Sequence, residues 1–185
     1  MAYIEFKNVN KIYDKNTNFK VLKKITFEIE KSEFITITGA KASGKTTLLN
    51  LLNKTLNVTS GSILVDNYDI TNFNNKQATK YRKEVVSSCL KGFSLISNLT
   101  VKENIELLEK ENDKKNINII IKKLGLTKVE NKFPSELSSS YAKLADIARS
   151  LTKKPSIILF DELDLHDKKD LKNLKHKIIY LETVY

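Results

Sequence analysis

Hydrophobic and polar residues change their period several times along this chain, and each change predicts an element. Over Ala2 to Val9, Ile4, Phe6 and Val9 interleave with Tyr3, Glu5 and Lys7, the pattern of a half-exposed strand. Asp14 to Asn18 reads as a polar turn. Val21 to Glu30 resumes strand character through Ile25, Phe27 and Ile29, so the first segment predicts a small antiparallel sheet. Phe34-Ile35-Thr36-Ile37-Thr38 is a short β-branched run that predicts a buried strand. Leu48, Leu51, Leu52 and Leu56 then fall on one face of a helix. Ser60-Gly61-Ser62 leads into a further strand, Ile63-Leu64-Val65, which ends in a turn at Asp66 and Asn67.

From about 76 to 149 the pattern becomes helical. Thr100-Val101-Lys102-Glu103 has the spacing of a capping box and predicts a helix through Ile105 and Leu108. Glu109 to Asn118 is highly charged. Ile119 to Leu126 is an apolar helical stretch that Gly125 ends. Pro134 and Ser135 precede a helix with Leu144, Ile147, Ala148 and Leu151 on its apolar face. Ser156-Ile157-Ile158-Leu159-Phe160 then runs straight into Asp161 and Glu162. This predicts a central parallel strand, buried on both faces, with two carboxylates at its C-terminal tip.

Bulk composition narrows the class. The chain has 185 residues and a formal charge of +10, and its positive side chains are nearly all lysine; Arg82 and Arg149 are the only arginines. The charge suits anionic partners such as nucleotides, acidic headgroups or nucleic acid, but a diffuse solvated lysine surface accounts for most of it. Cys89 is the single cysteine, which excludes an intrachain disulfide, fits a reducing compartment and reads as a small buried thiol. The N-terminus lacks the apolar stretch of a secretion signal, and no segment is apolar and long enough to span a bilayer. A role at a membrane would require another subunit to supply the span.

The chemistry lies between the third predicted strand and the first helix. Gly39-Ala40-Lys41-Ala42-Ser43-Gly44-Lys45-Thr46-Thr47 matches G-x-x-x-x-G-K-[ST]. Gly39 and Gly44 permit a tight turn and close approach to an anion. The loop amides and the helix N-terminus then cradle phosphate oxygens. Lys45 supplies a point charge for the terminal phosphates, and Thr46 a hard oxygen for Mg²⁺. Asp161 would hold that cation directly or through water, and Glu162 would polarise an attacking water as the catalytic carboxylate.

The order of these parts resembles the ATP-binding cassette (ABC) ATPases over nearly the whole chain, most closely the small ATPases that serve lipoprotein-release, macrolide-export and cell-division permeases. The resemblance rests on the phosphate loop, on Phe93 to Ile105 following the position of the family's Q-loop, on Pro134-Ser135-Glu136-Leu137-Ser138 with Ile147 to Leu151 for the signature helix, and on Ile157 to Glu162 for the Walker B strand. It implies an α/β fold: a P-loop NTPase (RecA-like) parallel-sheet core, an N-terminal antiparallel β part and an inserted helical lobe at about 76–149. All of this would form one domain over 1–185, incomplete at its C-terminal end. It implies ATP and Mg²⁺ as ligands, with Tyr13 stacking on adenine, and Ser138 capping its helix and facing a partner's phosphate. It implies a homo- or heterodimer with another ABC ATPase and a separate membrane permease, with the chain in the cytoplasm, peripheral on the inner face of the cell membrane. Phe93, Leu95, Ile96 and Leu99 would either line a groove for a permease helix or pack inside the helical lobe.

The departures are as informative. Lys91 stands where the family has Gln and brings donors only, so it would repel a cation or turn to solvent. The signature reads Leu137-Ser138-Ser139-Ser140-Tyr141 instead of Leu-Ser-Gly-Gly-Gln, which adds side chains where glycine allows close approach. Leu163 replaces a Pro, Asp167 follows a segment one residue short, and Ala42 replaces a loop Gly, a milder change. His166 and His176 come too early to be the family's switch His, and Leu181 to Tyr185 reads as the start of the strand that would carry it. The expectation is therefore ATP binding with slow or no hydrolysis by this chain alone, in a transporter subunit. The alternative is a non-hydrolysing, degenerate or truncated cassette serving as the inactive half of a heterodimer. No nucleic-acid partner is expected, since the chain has no coiled-coil insertion, zinc-type cysteine set or second cassette.

Overall fold

In the computed structural model, which describes residues 2–14, 19–89, 95–109, 114–161 and 179–184 (the last of these as backbone), the N-terminal alternation becomes strand β1 (Ile4–Asp14). It runs well past Val9 because of a bulge. Asn8 takes φ 49°, the pairing register slips between Phe6 and Val9, and the buried face moves from Phe6 to Val9. A strict two-residue period hides such a continuation. β2 (Phe19–Ile29) pairs antiparallel with β1, and Phe6 stacks on Phe27 with centroids 4.5 Å apart. β3 (Phe34–Thr38) and helix α1 (Lys45–Leu52) follow. β4 (Ser60–Val65) then returns to the free side of β1, and β5 (Tyr68–Asp69) completes a sheet in the order β2-β1-β4-β5.

The stretch read as helical from about 76 to 149 contains helix α2 (Asn75–Glu84), but also a strand, β6 (Val86–Cys89). Val-Ser-Ser-Cys is too short and too polar to announce a strand; its partner strand makes it one. Helices α3 (Val101–Glu106), α4 (Lys114–Lys123) and α5 (Ser139–Thr152) come next, then β7 (Ile157–Asp161) and β8 (Ile179–Val184). The second sheet is parallel, in the order β3-β8-β7-β6. Of the residues read as the start of a further strand, Leu181 to Val184 lie within β8, between β3 and β7.

β7 separates two cores. Ile157 and Leu159 face a cluster that includes Leu49, Leu52, Ile63 and Val86; Ile158 and Phe160 face a cluster built from α3, α4 and α5. All four are buried, as expected of an interior parallel strand. Each contributes roughly 1.5–3 kcal/mol by leaving water.

The helical cluster is held by well-formed termini. Thr100 and Glu103 cap α3 reciprocally, with Thr100 N–H donating to Glu103 Oε2 at 2.7 Å; that backbone bond holds the Glu103 carboxyl below its usual range. α4 ends as the sequence predicts. Gly125 adopts φ 67° and Leu126 N–H donates to Ile121 O at 2.9 Å, with both Leu126 and Ile121 buried. A Cβ on Gly125 would meet nothing within 4 Å, so only the backbone conformation opposes a side chain there. Gly125→Ala should therefore cost about 1 kcal/mol. Its denaturant midpoint, measured against wild type at unchanged slope, checks this.

Candidate functional site

The sheet order brings the two distant motifs together. β3 and β7 lie on either side of β8, Thr38 pairs with Val184, and Asp161 pairs with Thr183, so both strands end at one level. The glycine-rich loop leaves β3 at that edge and α1 starts from it. Ligands of open α/β sheets bind at this carboxyl edge.

The loop closes on its own lysine. Lys45, the first residue of α1, is 7% exposed and donates to Gly39 O at 2.7 Å, to Ala40 O at 2.9 Å and to Ser43 Oγ at 3.4 Å. Gly44 occupies the cap position of α1 at φ 93°; a Cβ there would come within 2.9 Å of Leu22 and 3.2 Å of the Val21 carbonyl. Gly39 leaves the space that Ser43 Oγ fills, 2.8 Å from where its Cβ would be. α1 has no side-chain cap and no acid in its first turn, so its dipole favours an anion at this end.

Thr46 and Asp161 meet directly. The Thr46 hydroxyl donates to Asp161 Oδ2 at 2.9 Å, across 115 positions of sequence. A hydroxyl and a carboxylate beside a phosphate cradle are the hard oxygen donors that Mg²⁺ takes, since it relies on one or two protein oxygens plus phosphates and waters. The donor set therefore fits the cation. Thr47 Oγ1 lies 3.2 Å from the Tyr13 hydroxyl. This fixes the half-exposed Tyr13 ring beside the loop, with Lys11 Nζ 5.3 Å from its centroid. Lys41 lies on the exposed part of the loop.

One departure is costlier than its small side chain suggests. Ala42 sits at φ 64°, the left-handed region, so replacing glycine here is not a mild change. The strain belongs to the backbone of the cradle itself.

Ser138 caps α5 and accepts from Tyr141 N–H at 3.4 Å, while Ser138, Ser139 and Ser140 are all exposed. Tyr141 packs against the helical cluster, so its bulk is absorbed inward rather than beside those serines. Cys89 Sγ lies 3.0 Å from Ser150 Oγ; the sulfur is shielded although the residue as a whole is half-buried, and this desolvation pushes the thiol up. Glu162, Lys91, Phe93, Leu163, His166, Asp167 and His176 lie outside the described residues.

Asn104 went unnoticed in the sequence. It is fully buried, accepts Ile96 N–H at 2.7 Å and donates to Ile96 O, Leu99 O and Thr100 O, each at 3.0 Å. It ties down the loop that presents the half-buried Leu95 and Leu99 and the exposed Ile96. A polar residue on the same helix face as Val101 and Ile105 was the available signal.

These features define a phosphate-loop nucleotide cassette, and the comparisons agree. The family described as ABC transporter matches residues 22–164, and the chain belongs to it. The bacitracin export ATP-binding protein BceA of Halalkalibacterium halodurans is 35% identical over 170 residues, covering 88% of this chain and 67% of BceA. YxdL of Bacillus subtilis, an ABC transporter ATP-binding protein, is 35% identical over 165 residues, covering 86% of this chain and 64% of YxdL. MG065 of Mycoplasma genitalium is 37% identical over 164 residues, covering 86% of this chain and 35% of MG065. The chain thus spans from about a third to two thirds of the length of these relatives. Among solved structures, the dimeric cassette MJ0796 bound to ADP and Pi matches with a TM-score of 0.85 at 28% identity, covering 98% of this chain and 88% of that one. The cbiO1 structure from Clostridium perfringens reaches 0.86 at 24% identity, over 100% of this chain and 79% of its own, a likeness of fold. The α/β cassette fold is therefore established, and the inactive-half alternative is not favoured by relatives named as ATP-binding proteins.

Two substitutions test this construction. Ala42→Gly should raise stability by about 1 kcal/mol through relief of the left-handed conformation, read from the thermal midpoint. Asn104→Ala should cost about 1–3 kcal/mol, because it removes the side-chain partner of Ile96 N–H, Ile96 O and Leu99 O. Hydrogen exchange should then show lost protection over 96–104 while α1 keeps its own.

Proposed function

We propose that this chain is the nucleotide-binding subunit of an ABC transporter, binding ATP with Mg²⁺ and acting on a separate membrane permease. The observation that carries the reading is the Thr46–Asp161 hydrogen bond, which joins a phosphate cradle to the one carboxylate at the tip of β7 within the described residues. In this proposal the amides from Gly39 to Thr47, including those of Ala40, Lys41, Ala42 and Ser43, wrap the phosphates, and the Lys45 ammonium neutralises them. Thr46 and Asp161 hold Mg²⁺, which supplies charge neutralisation between the phosphates. Tyr13, anchored through Thr47, offers its ring to adenine. Glu162, next to Asp161, is assigned as the base that orients water.

BceA's name states that it serves bacitracin export, and MJ0796 is described as a dimer bound to ADP and Pi. By analogy, two cassettes would meet head to tail, with Ser138 of each turned to the other's nucleotide. The chain would lie in the cytoplasm, on the inner face of the membrane through its permease. Among the described residues no helix is long and apolar enough to cross a membrane, so the span is assigned to that partner. In this reading Ser139 and Ser140 crowd the approach of the second nucleotide and Lys91 withdraws a cation ligand, so turnover by this chain alone is slow or absent.

Lys45→Ala should weaken ATP–Mg²⁺ binding by at least roughly 100-fold, since charge-assisted bonds to phosphate are each worth about 1.5–3 kcal/mol. Calorimetric titration of both proteins with and without Mg²⁺ checks this; equal affinities would overturn the proposal. Phosphate release on the same samples should stay near background.

A further inference from the structure

A cavity of about 350 Å³ opens between the β4–β5 turn and α2. None of its lining residues belongs to the phosphate loop, α1 or β7. Tyr3, Tyr68, Phe73 and Tyr81 give it four aromatic walls, and Ile70 an aliphatic one. Phe73 and Tyr81 meet edge to face, with centroids 6.0 Å apart. Tyr68 is 72% exposed and belongs to the mouth, whereas Tyr81 is 5% exposed. The Tyr81 hydroxyl is shielded from water and has no hydrogen-bond partner among the described residues. Burial above all, with Tyr3 nearby, pushes this hydroxyl up, so it stays a neutral donor. Native proteins leave few such donors unmade, because each carries its full desolvation cost.

We propose that this cavity binds a small, neutral, planar aromatic molecule that accepts a hydrogen bond from Tyr81. Its volume falls at the lower end of the roughly 300–1,000 Å³ of small-molecule sites, which suits two or three fused rings. The walls are ring faces and edges, against which a flat aromatic ligand stacks with a gain beyond its buried area. The charges at the mouth select against an ionic ligand, because each acid there has its own lysine. Asp66 pairs with Lys31 at 3.5 Å, and Glu84 with Lys80 at 4.0 Å. Lys31 Nζ also lies 5.0 Å from the centre of the Tyr3 ring, so a cation of the chain itself already occupies that ring face. The Tyr81 hydroxyl is withdrawn from water before any ligand arrives. An acceptor brought to it gains a hydrogen bond at no further desolvation cost to the protein. This site shares no residue with the nucleotide cradle and does not rest on the transporter reading.

The test titrates the isotope-labelled full chain, without nucleotide, and follows its amide chemical shifts. The probes are quinoline, at a pH where it is neutral, and benzothiophene, a fused ring pair of similar size without a strong acceptor. Quinoline should shift the amides of Tyr68, Ile70, Tyr81 and Val85. It should bind about fivefold more tightly than benzothiophene, the factor that one neutral hydrogen bond supplies. Tyr81→Phe should lose that preference and keep its affinity for benzothiophene. Its thermal midpoint should not fall below that of wild type, since no hydrogen bond is removed. Tyr68→Ala, at an exposed position, should weaken the binding of both rings several-fold. Absence of shifts at the four amides, a quinoline preference that persists in Tyr81→Phe, or a fall in the midpoint of that variant would overturn the site. Broadening of these amides that grows with protein concentration, with neither ring present, would identify a second copy of the chain as the occupant and likewise overturn it.

Discussion

A single hydrogen bond, from the Thr46 hydroxyl to the Asp161 carboxylate, is the constraint on which the rest of this architecture converges. It joins the start of α1 to the end of β7, and it forms only if β3 and β7 run parallel and end at the same level. That condition is met by β8, which pairs with both. The fold thus reduces to a geometric requirement: two chain segments far apart in sequence must deliver a cation, a hydroxyl and a carboxylate to one edge. The antiparallel sheet adds the aromatic of β1, tied in through Thr47. The helical part adds the capped start of α5 and the loop that Asn104 holds.

The legible parts of the chain were those governed by local rules. The phosphate loop, the capping box at Thr100, the helix stop at Gly125 and the doubly buried β7 each rest on a few neighbouring residues, and each is found where the pattern puts it. What escaped depends on tertiary partners. β6 is a strand only because β7 lies beside it. β1 continues past its bulge only because β2 and β4 hold it on both sides. Asn104 looks like any surface polar residue until the loop it binds is folded over it. Ala42 looks innocuous until its backbone angle is known. The meeting of Tyr3 with Tyr68, Phe73 and Tyr81 around one cavity is a long-range fact with no local trace.

Burial and polarity divide the labour. β7 carries no exposed residue and fixes the frame for both cores. The polar groups at its tip and in the loop are ordered by hydrogen bonds to backbone and hydroxyls. A buried lysine bonded to two carbonyls of its own loop is preorganised, and little reorganisation remains when a phosphate arrives.

The position of β8 has a consequence for how the molecule comes to be folded. Phe34 pairs with Tyr180, Ile35 with Leu181 and Ile37 with Thr183, so the parallel sheet closes through contacts of very high sequence separation. The entropy of closing such long loops falls on the pairing of β8 with β3. During synthesis the antiparallel sheet and the helices can assemble first, while the facing edges of β3 and β7 wait for their shared neighbour. The nucleotide-binding edge therefore forms only after its long-range partner strand has docked.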